Sequence, residues 1–270
     1  MMLAIILALA AAVQPAPPPR DPKSWPTPVM DSTPPAIPQL RRGAVLVLSK
    51  TNGFRNEEQI VAANVAIEQI AKEVGRDAFV TENAAVMNPS DLTRFSVIVL
   101  NSASGNLFTE PQRAAFRDWV ERGGGVVLLH GAGDGSHEWP WFGDSLLDAR
   151  FIGHTAQPEQ FQEARIDVVE PDHPVMRGVP RRWERVEEWY SFDKLPQGNG
   201  TRILATVDES TYKLPERLVM GRVHPMVWTR CVAKGRSVFS ALGHHGSAYA
   251  EPAHRRLIGN AIEWAAGKNC

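Results

Sequence analysis

The 270-residue sequence has little cysteine and no excess of basic residues. Cys231 and Cys270 are too few for a disulfide scaffold, and the sequence leaves both one disulfide and two free thiols open. Lys and Arg number 29 against 30 Asp and Glu, giving a formal net charge of -1. Because no positive charge is left over to neutralise phosphates, we expect no nucleic-acid partner.

Several catalytic fingerprints are also missing. No phosphate-binding loop or dinucleotide-binding glycine pattern occurs, so no nucleotide cofactor is expected. The turn after the apolar run 126–129 reads Leu129-His130-Gly131-Ala132-Gly133 and contains neither Cys nor Ser. This excludes a Cys-nucleophile amidotransferase or a peptidase built on that turn. No His-x-x-x-His spacing is present. The sequence therefore leaves a divalent metal open but contains no close-spaced metal-binding motif.

The N-terminal part has two compositional zones. Residues 3–13 are apolar but too few to span a bilayer, which predicts a signal peptide over 1–14 and a periplasmic or secreted protein without an integral membrane segment. The alternative is an uncleaved apolar tail, since no Lys or Arg precedes the run. Ten of the 21 prolines follow in 15–38, which predicts a Pro-rich linker, or an arm on the domain surface, over 15–42.

Residues 43–267 alternate apolar runs with amphipathic helical stripes. The runs predict central strands that contain Val45, Val97, Val127 and Phe239. This alternation is typical of a doubly wound α/β domain with a mostly parallel sheet. After His154 the pattern shifts to shorter alternating segments, which predict an added strand and loop region.

Three histidines occupy positions where such a fold places chemistry. His130 follows the apolar run 126–129 and enters a glycine-rich loop, and His244 follows a second apolar run in Gly-His-His-Gly. Parallel strand ends open on one side of the sheet, so we expect His130, His154 and His244 to face one pocket, as acid–base groups or metal ligands. The alternatives are a core histidine at 130 and, at 154, a cation that follows a predicted helix end.

Glu188 and Tyr190 stand two residues apart in an aromatic, acidic segment. In an extended strand they share one face, where Glu188 is a candidate base and Tyr190 a hydrogen-bond donor. The alternative for Glu188 is a buried ion pair with a neighbouring arginine, Arg181, Arg182 or Arg185.

Motifs spread over 43–267 together resemble the trehalose-utilisation (ThuA-like) family, whose flavodoxin-like core is similar to class I glutamine amidotransferases. The matching pieces are Gly53-Phe54-Arg55, Gly123-Gly124-Gly125 through His130, Trp139-Pro140-Trp141 through His154, His173-Pro174, Glu187-Glu188-Trp189-Tyr190, His224-Pro225 with Trp228, Gly235-Arg236 with Phe239, Gly243-His244 and Ile262-Glu263-Trp264-Ala265. The resemblance implies a flavodoxin-like three-layer sandwich. It also implies work on carbohydrates, namely oxidised 3-keto glycosides of disaccharide catabolism.

Two positions depart from the resemblance. Many relatives carry His after Phe-Arg where this chain has Asn56, and relatives often carry Asp where it has Glu187. A role of that histidine in the relatives therefore does not transfer to this chain.

The resulting hypothesis is an enzyme that acts on a keto-glycoside as a lyase, hydrolase or isomerase. A ketone acidifies the neighbouring C–H, so a positioned base can remove that proton while a cation stabilises the enolate. The alternative is a non-catalytic carbohydrate-binding or accessory protein, and a homo-oligomer is compatible with either. The predicted catalytic residues are His130, Glu188, Tyr190 and His244, and the predicted substrate-binding residues are Arg55, His154, Trp139 and Trp228.

Overall fold

Three adjacent apolar strands form the centre of the protein because nearly all their residues are buried on both faces. The computed structural model describes residues 27–134, 136–267 and 270. The predicted signal peptide and the first part of the Pro-rich stretch lie outside the described residues.

The secondary structure alternates strands and helices as far as β4 and is then mostly strands. The strands are β1 (Ala44–Leu48), β2 (Ala78–Thr81), β3 (Phe95–Asn101), β4 (Gly125–Leu129), β5 (Phe151–His154), β6 (Gln162–Val168), β7 (Arg182–Glu187), β8 (Tyr190–Phe192), β9 (Arg202–Val207), β10 (Pro225–Val232) and β11 (Gly235–Ser240). The helices are α1 (Glu57–Glu73), α2 (Pro89–Leu92), α3 (Glu110–Glu121) and α4 (Pro252–Ala265).

Nine strands form one mixed sheet in the order β2-β1-β3-β4-β11-β10-β9-β6-β7. The half from β2 to β11 is parallel, and the half from β11 to β7 is antiparallel. Val45, Val97, Val127 and Phe239 all lie in the parallel half, so the predicted α/β class with an added strand region is confirmed.

The helices cover both faces of the sheet. The chain moves in opposite directions along the sheet from β1 to β2 and from β3 to β4, so right-handed crossovers place α1 and α3 on opposite faces. Helix α4 packs beside α1 and against β4. At Gly125 a Cβ would lie 2.2 Å from the Ala265 carbonyl oxygen, so a glycine is needed where α4 crosses β4.

Helix α1 begins at a side-chain cap. The Asn56 side chain accepts a hydrogen bond from the Gln59 N–H, which satisfies one of the free donors of the first turn. This cap also fixes the position of Asn56 at the edge of the sheet where β1, β3, β4 and β11 end.

A separate two-stranded antiparallel sheet pairs β5 with β8 and places His154 opposite Tyr190. The helical segment before His154, a π-helix, already ends at Leu147, and His154 ends strand β5. The expectation that His154 closes a helix is therefore wrong. The alternative role of His154, as a cation at a helix C-terminus, is therefore excluded.

Two features tie the chain ends to the body of the protein. Asp31 in the described part of the Pro-rich stretch pairs with Lys50 at 2.8 Å and accepts a hydrogen bond from the Ala84 N–H. A disulfide joins Cys231 of β10 to Cys270. Within the part of the chain that the structure describes, no helix combines the length and apolar character that crossing a membrane requires.

Candidate functional site

His130 lies directly after β4 in a left-handed backbone conformation, with φ of 47°. A residue other than glycine rarely adopts this conformation. The His130 Nδ1 lies 2.8 Å from the Ala241 carbonyl oxygen. A carbonyl can only accept, so Nδ1 donates and Nε2 carries the lone pair.

His244 lies in the loop after β11, the parallel neighbour of β4. Because Ser240 of β11 is opposite Leu129 of β4, the two histidines emerge at one edge of the sheet. The His130 Nε2 lies 3.1 Å from the His244 Nδ1. The ring of the next residue, His245, packs against that of Phe161 at 4.4 Å.

Glu188 lies between these imidazoles and is 4% exposed. Its Oε2 lies 3.2 Å from the His244 Nδ1 and 3.6 Å from the His130 Nε2. Its Oε1 accepts a hydrogen bond from the Gln160 Nε2 at 2.5 Å and lies 3.2 Å from the His154 Nδ1. One buried carboxylate therefore contacts three imidazoles.

Tyr190 completes the group from β8. Its hydroxyl lies 3.2 Å from the His130 Nε2, where it can donate to the lone pair. The opposite residue in the ladder, His154, has its Nδ1 2.7 Å from the Thr155 carbonyl oxygen, which leaves Nε2 as its lone-pair nitrogen. The His154 side chain is 34% exposed and is the most accessible imidazole of the group.

Glu187 fixes the backbone of the site. Its buried carboxylate accepts hydrogen bonds from the N–H groups of Gly243, His244 and Glu188, and it pairs with Arg185 at 3.0 Å. The end of β7 therefore contacts the loop after β11. Because β10, β9 and β6 lie between these two strands in the sheet, the antiparallel half of the sheet must curve to bring them together. Arg185 is occupied by Glu187, so the alternative that Glu188 pairs with this arginine is not what the structure shows.

The pKa values of the site are set by burial and by close partners. Burial raises the pKa of Glu188, but the His244 hydrogen bond and the nearby imidazoles outweigh it and lower this pKa to about 2. Burial lowers the pKa of His130, and the charges of Glu187 and Glu188 offset that only in part. Burial also acts to lower the pKa of His244, but the hydrogen bond and charge of Glu188 overcome it and raise the pKa. The carboxylate is therefore ionised beside imidazoles of unequal basicity.

The three atoms His130 Nε2, His244 Nδ1 and Glu188 Oε2 form a triangle with sides of 3.1, 3.2 and 3.6 Å. Ligands of a tetrahedral zinc ion lie roughly 3.3 Å apart at the usual bond lengths. This triangle has the size of a divalent-cation site. Of the three predicted metal candidates, His130 and His244 lie in this triangle with Glu188, whereas the His154 Nδ1 contacts the other oxygen of Glu188 at 3.2 Å.

Two other predicted binding residues, Arg55 and Trp139, make their contacts with residues outside this group. Arg55 is held by Glu57 at 2.6 Å and Glu82 at 2.9 Å, beside the end of β2. Trp139 lines a cavity of about 240 Å³ with Phe142 and Arg150, and the histidines of the site do not line it.

Trp228 does not fit its predicted role as a substrate-binding residue. It is 1% exposed, and its Nε1 donates to the Leu147 carbonyl oxygen at 2.8 Å. Its ring packs against Phe192 and Phe239. Trp228 is therefore a core residue, with no face available to a ligand.

Sequence reasoning missed two residues that cover the site. Gln160 and Phe161 lie on the loop after β5, where Gln160 binds Glu188 and the Phe161 ring lies 4.8 Å from that of His244. Neither residue stands in a motif, so the sequence carries no signal for them. Asn56, which the sequence marks as a departure from relatives, places its Nδ2 3.2 Å from the His244 Nε2.

Solved structures similar to this chain share its fold. A ThuA-like protein from Bacteroides uniformis is 22% identical with a TM-score of 0.70, and the match covers 87% of this chain and 95% of that one. A ThuA-like protein from Parabacteroides merdae is 22% identical with a TM-score of 0.64, covering 84% and 90%. A cytoplasmic protein from Salmonella typhimurium is 12% identical with a TM-score of 0.56, covering 84% and 100%. At these identities the likeness concerns the fold.

A comparison with curated proteins finds no match. The family described as "Trehalose utilisation" (ThuA) matches residues 44–265, which is most of the chain. This match agrees with the predicted resemblance and with the flavodoxin-like sheet. The chain therefore belongs to the ThuA trehalose-utilisation family.

Proposed function

We propose that this protein is an acid–base enzyme that acts on a 3-keto glycoside. The observation that carries the proposal is the convergence of three imidazoles on the buried carboxylate of Glu188, with the Tyr190 phenol against one of them, His130. The family match, which its description links to trehalose utilisation, supports a carbohydrate as the substrate class. Residues from strand ends suit this task because open α/β sheets bind ligands there.

In the proposed reaction, His154 acts as the base. Its lone-pair nitrogen Nε2 removes the proton from the carbon between the ketone and the anomeric carbon. The freed electron pair forms a carbon–carbon double bond while the bond to the glycosidic oxygen breaks. The leaving oxygen keeps the bonding pair and takes a proton from the Tyr190 hydroxyl.

Glu188 supports the imidazolium that forms in this step. Its Oε1 lies 3.2 Å from the His154 Nδ1, and its pKa of about 2 keeps it ionised. A base with so low a pKa removes protons poorly near neutral pH, so the base is an imidazole rather than the predicted Glu188. After the product leaves, the His154 imidazolium gives its proton to water and the Tyr190 phenolate takes one back from water, which restores the hydroxyl 3.2 Å from the lone pair of the His130 Nε2.

The test is turnover of a 3-keto disaccharide by the parent protein and by His154→Gln and Glu188→Gln. We expect each change to lower turnover by roughly a hundredfold or more. His245→Gln is the matched control, since His245 is adjacent in sequence to His244 but its ring packs, tilted, against that of Phe161. Full activity of His154→Gln would refute the assigned base. A parent protein that binds the sugar without converting it would instead be an accessory protein.

We also propose that the chain is exported to the periplasm or secreted. The disulfide between Cys231 and Cys270 supports this, because disulfides persist in oxidising compartments. The test is N-terminal sequencing of the protein from a fractionated Gram-negative host. Cleavage near residue 14 is expected, and an intact Met1 in the cytoplasm would contradict export.

A further inference from the structure

The orientation of the Asn56 side chain is fixed by two backbone groups. Its Oδ1 accepts from the Gln59 N–H at 3.2 Å, and its Nδ2 donates to the His244 carbonyl oxygen at 3.0 Å. A backbone N–H can only donate and a backbone C=O can only accept. Rotating the amide by 180° would break both hydrogen bonds, so the NH2 group faces His244.

This orientation determines what the His244 ring can do at Nε2. The Asn56 Nδ2 lies 3.2 Å from that nitrogen. Two nitrogens form a hydrogen bond only when one of them offers a lone pair. Since the amide is the donor, Nε2 of the neutral imidazole is the acceptor and the ring proton resides on Nδ1.

The opposite side of the ring leads to the same assignment. The His244 Nδ1 faces Glu188 Oε2 at 3.2 Å and His130 Nε2 at 3.1 Å. The first is a carboxylate oxygen, and the second is an acceptor because His130 donates through Nδ1 to the Ala241 carbonyl. Both neighbours offer His244 only lone pairs, so the contacts on the two sides of the ring agree.

We infer that Asn56 is a positioning residue that holds His244 as its Nδ1–H tautomer and so commits the site to proton transfer rather than to a divalent cation. A cation within the triangle of His130, Glu188 and His244 would need the lone pair of the His244 Nδ1. The proton would then move to Nε2, where it would meet the amide N–H of Asn56. Histidines that bind metals donate their other N–H to an acceptor, and here a donor occupies that place.

The inference rests on the proposed function only in treating these residues as the working group, and its first test needs no substrate. Nitrogen-15 NMR of protein labelled in its histidine rings distinguishes a protonated from a lone-pair nitrogen. At a pH above the pKa of His244, which Glu188 raises over the ordinary imidazole value, we expect the signals of a neutral ring in its Nδ1–H tautomer. His244→Gln identifies the signals. An Nε2–H tautomer in the parent protein would overturn the inference whether or not the protein turns over sugars.

The second test reverses the polarity at position 56 while keeping the helix cap. Asn56→Asp caps α1 as well as Asn does, but its carboxylate accepts from Nε2–H. We expect this variant to hold His244 in the Nε2–H form and to bind Zn²⁺ at least about tenfold more tightly, by isothermal titration calorimetry. Equal Zn²⁺ affinity in parent and variant would overturn the inference.

Asn56→Ser keeps the test decisive if the aspartate variant does not fold. Serine also caps a helix, but its shorter side chain offers no amide to His244. We expect a larger share of the Nε2–H form than in the parent protein. An unchanged tautomer in this variant would show that Asn56 is only a cap, and would overturn the inference.

Discussion

Glu188 makes stability depend on pH in the acid range. Its pKa in the folded protein is about 2, against an ordinary value of 4.5, so its contribution is complete above 4.5 and is lost as the pH falls toward 2. We expect the free energy of unfolding of the parent protein to decline over this window. Urea unfolding of Glu188→Gln should show a smaller decline, and equal slopes would contradict the assignment.

Glu187 should matter more for stability than its lack of a chemical role suggests. Glu187→Gln removes the closer of the two carboxylates that pair with the buried Arg185, at 3.0 Å against 3.4 Å for the more exposed Glu251, and faces an NH2 group toward backbone N–H donors. We expect a loss of roughly 3 kcal/mol or more in the free energy of unfolding, measured in urea. Glu184→Gln is the control on the same strand, because Glu184 is exposed and should change stability by less than about 0.5 kcal/mol.

At the residue scale, strand-end positions could be predicted and their hydrogen-bond partners could not. His130 and His244 follow apolar runs in neighbouring parallel strands, and that arrangement alone places them together. Asn56 and Gln160 reach the site from a helix cap and a loop, which no sequence period encodes. Trp228 failed as a binding residue because aromatic side chains carry much of any core.

At the element scale, the long strands of the parallel half were predictable and the short pair β5 and β8 was not. These two strands have four and three residues. So few residues give no clear alternation of apolar and polar side chains. Their pairing nevertheless places His154 opposite Tyr190, so the part of the site that faces solvent depends on the element hardest to predict.

The disulfide links strand β10 to the residue that follows helix α4 and its short tail. Closing a loop with a sequence separation of 39 residues restricts the unfolded chain, which corresponds to roughly 4 kcal/mol in the chain-entropy treatment. We expect the double change Cys231→Ala and Cys270→Ala to lower the free energy of unfolding by up to about that amount, measured in urea. A reductant should then have no further effect on the variant, whereas it should destabilise the parent protein.

At the scale of the whole molecule, the described part of the Pro-rich stretch behaves as an arm held by Asp31. Lys50 is largely buried and pairs with this carboxylate, so Asp31→Asn leaves a cation without its partner. We expect a loss of about 2 kcal/mol in the free energy of unfolding, between the values for exposed and buried pairs. Asp118→Asn is the control, because its pair with Arg122 is exposed and should contribute under about 1 kcal/mol.

The origin of the site in distant parts of the chain has a consequence for the order of events in folding. Asn56 and His244 are separated by 188 residues, and His130 and His244 by 114. Contacts between distant segments form slowly, because the loop-closure entropy is lost before the contacts stabilise the chain. After dilution from denaturant we expect helical circular dichroism to recover first and the His244 tautomer signal last. A nascent chain on the ribosome would likewise lack the site until the residues after β11 had emerged.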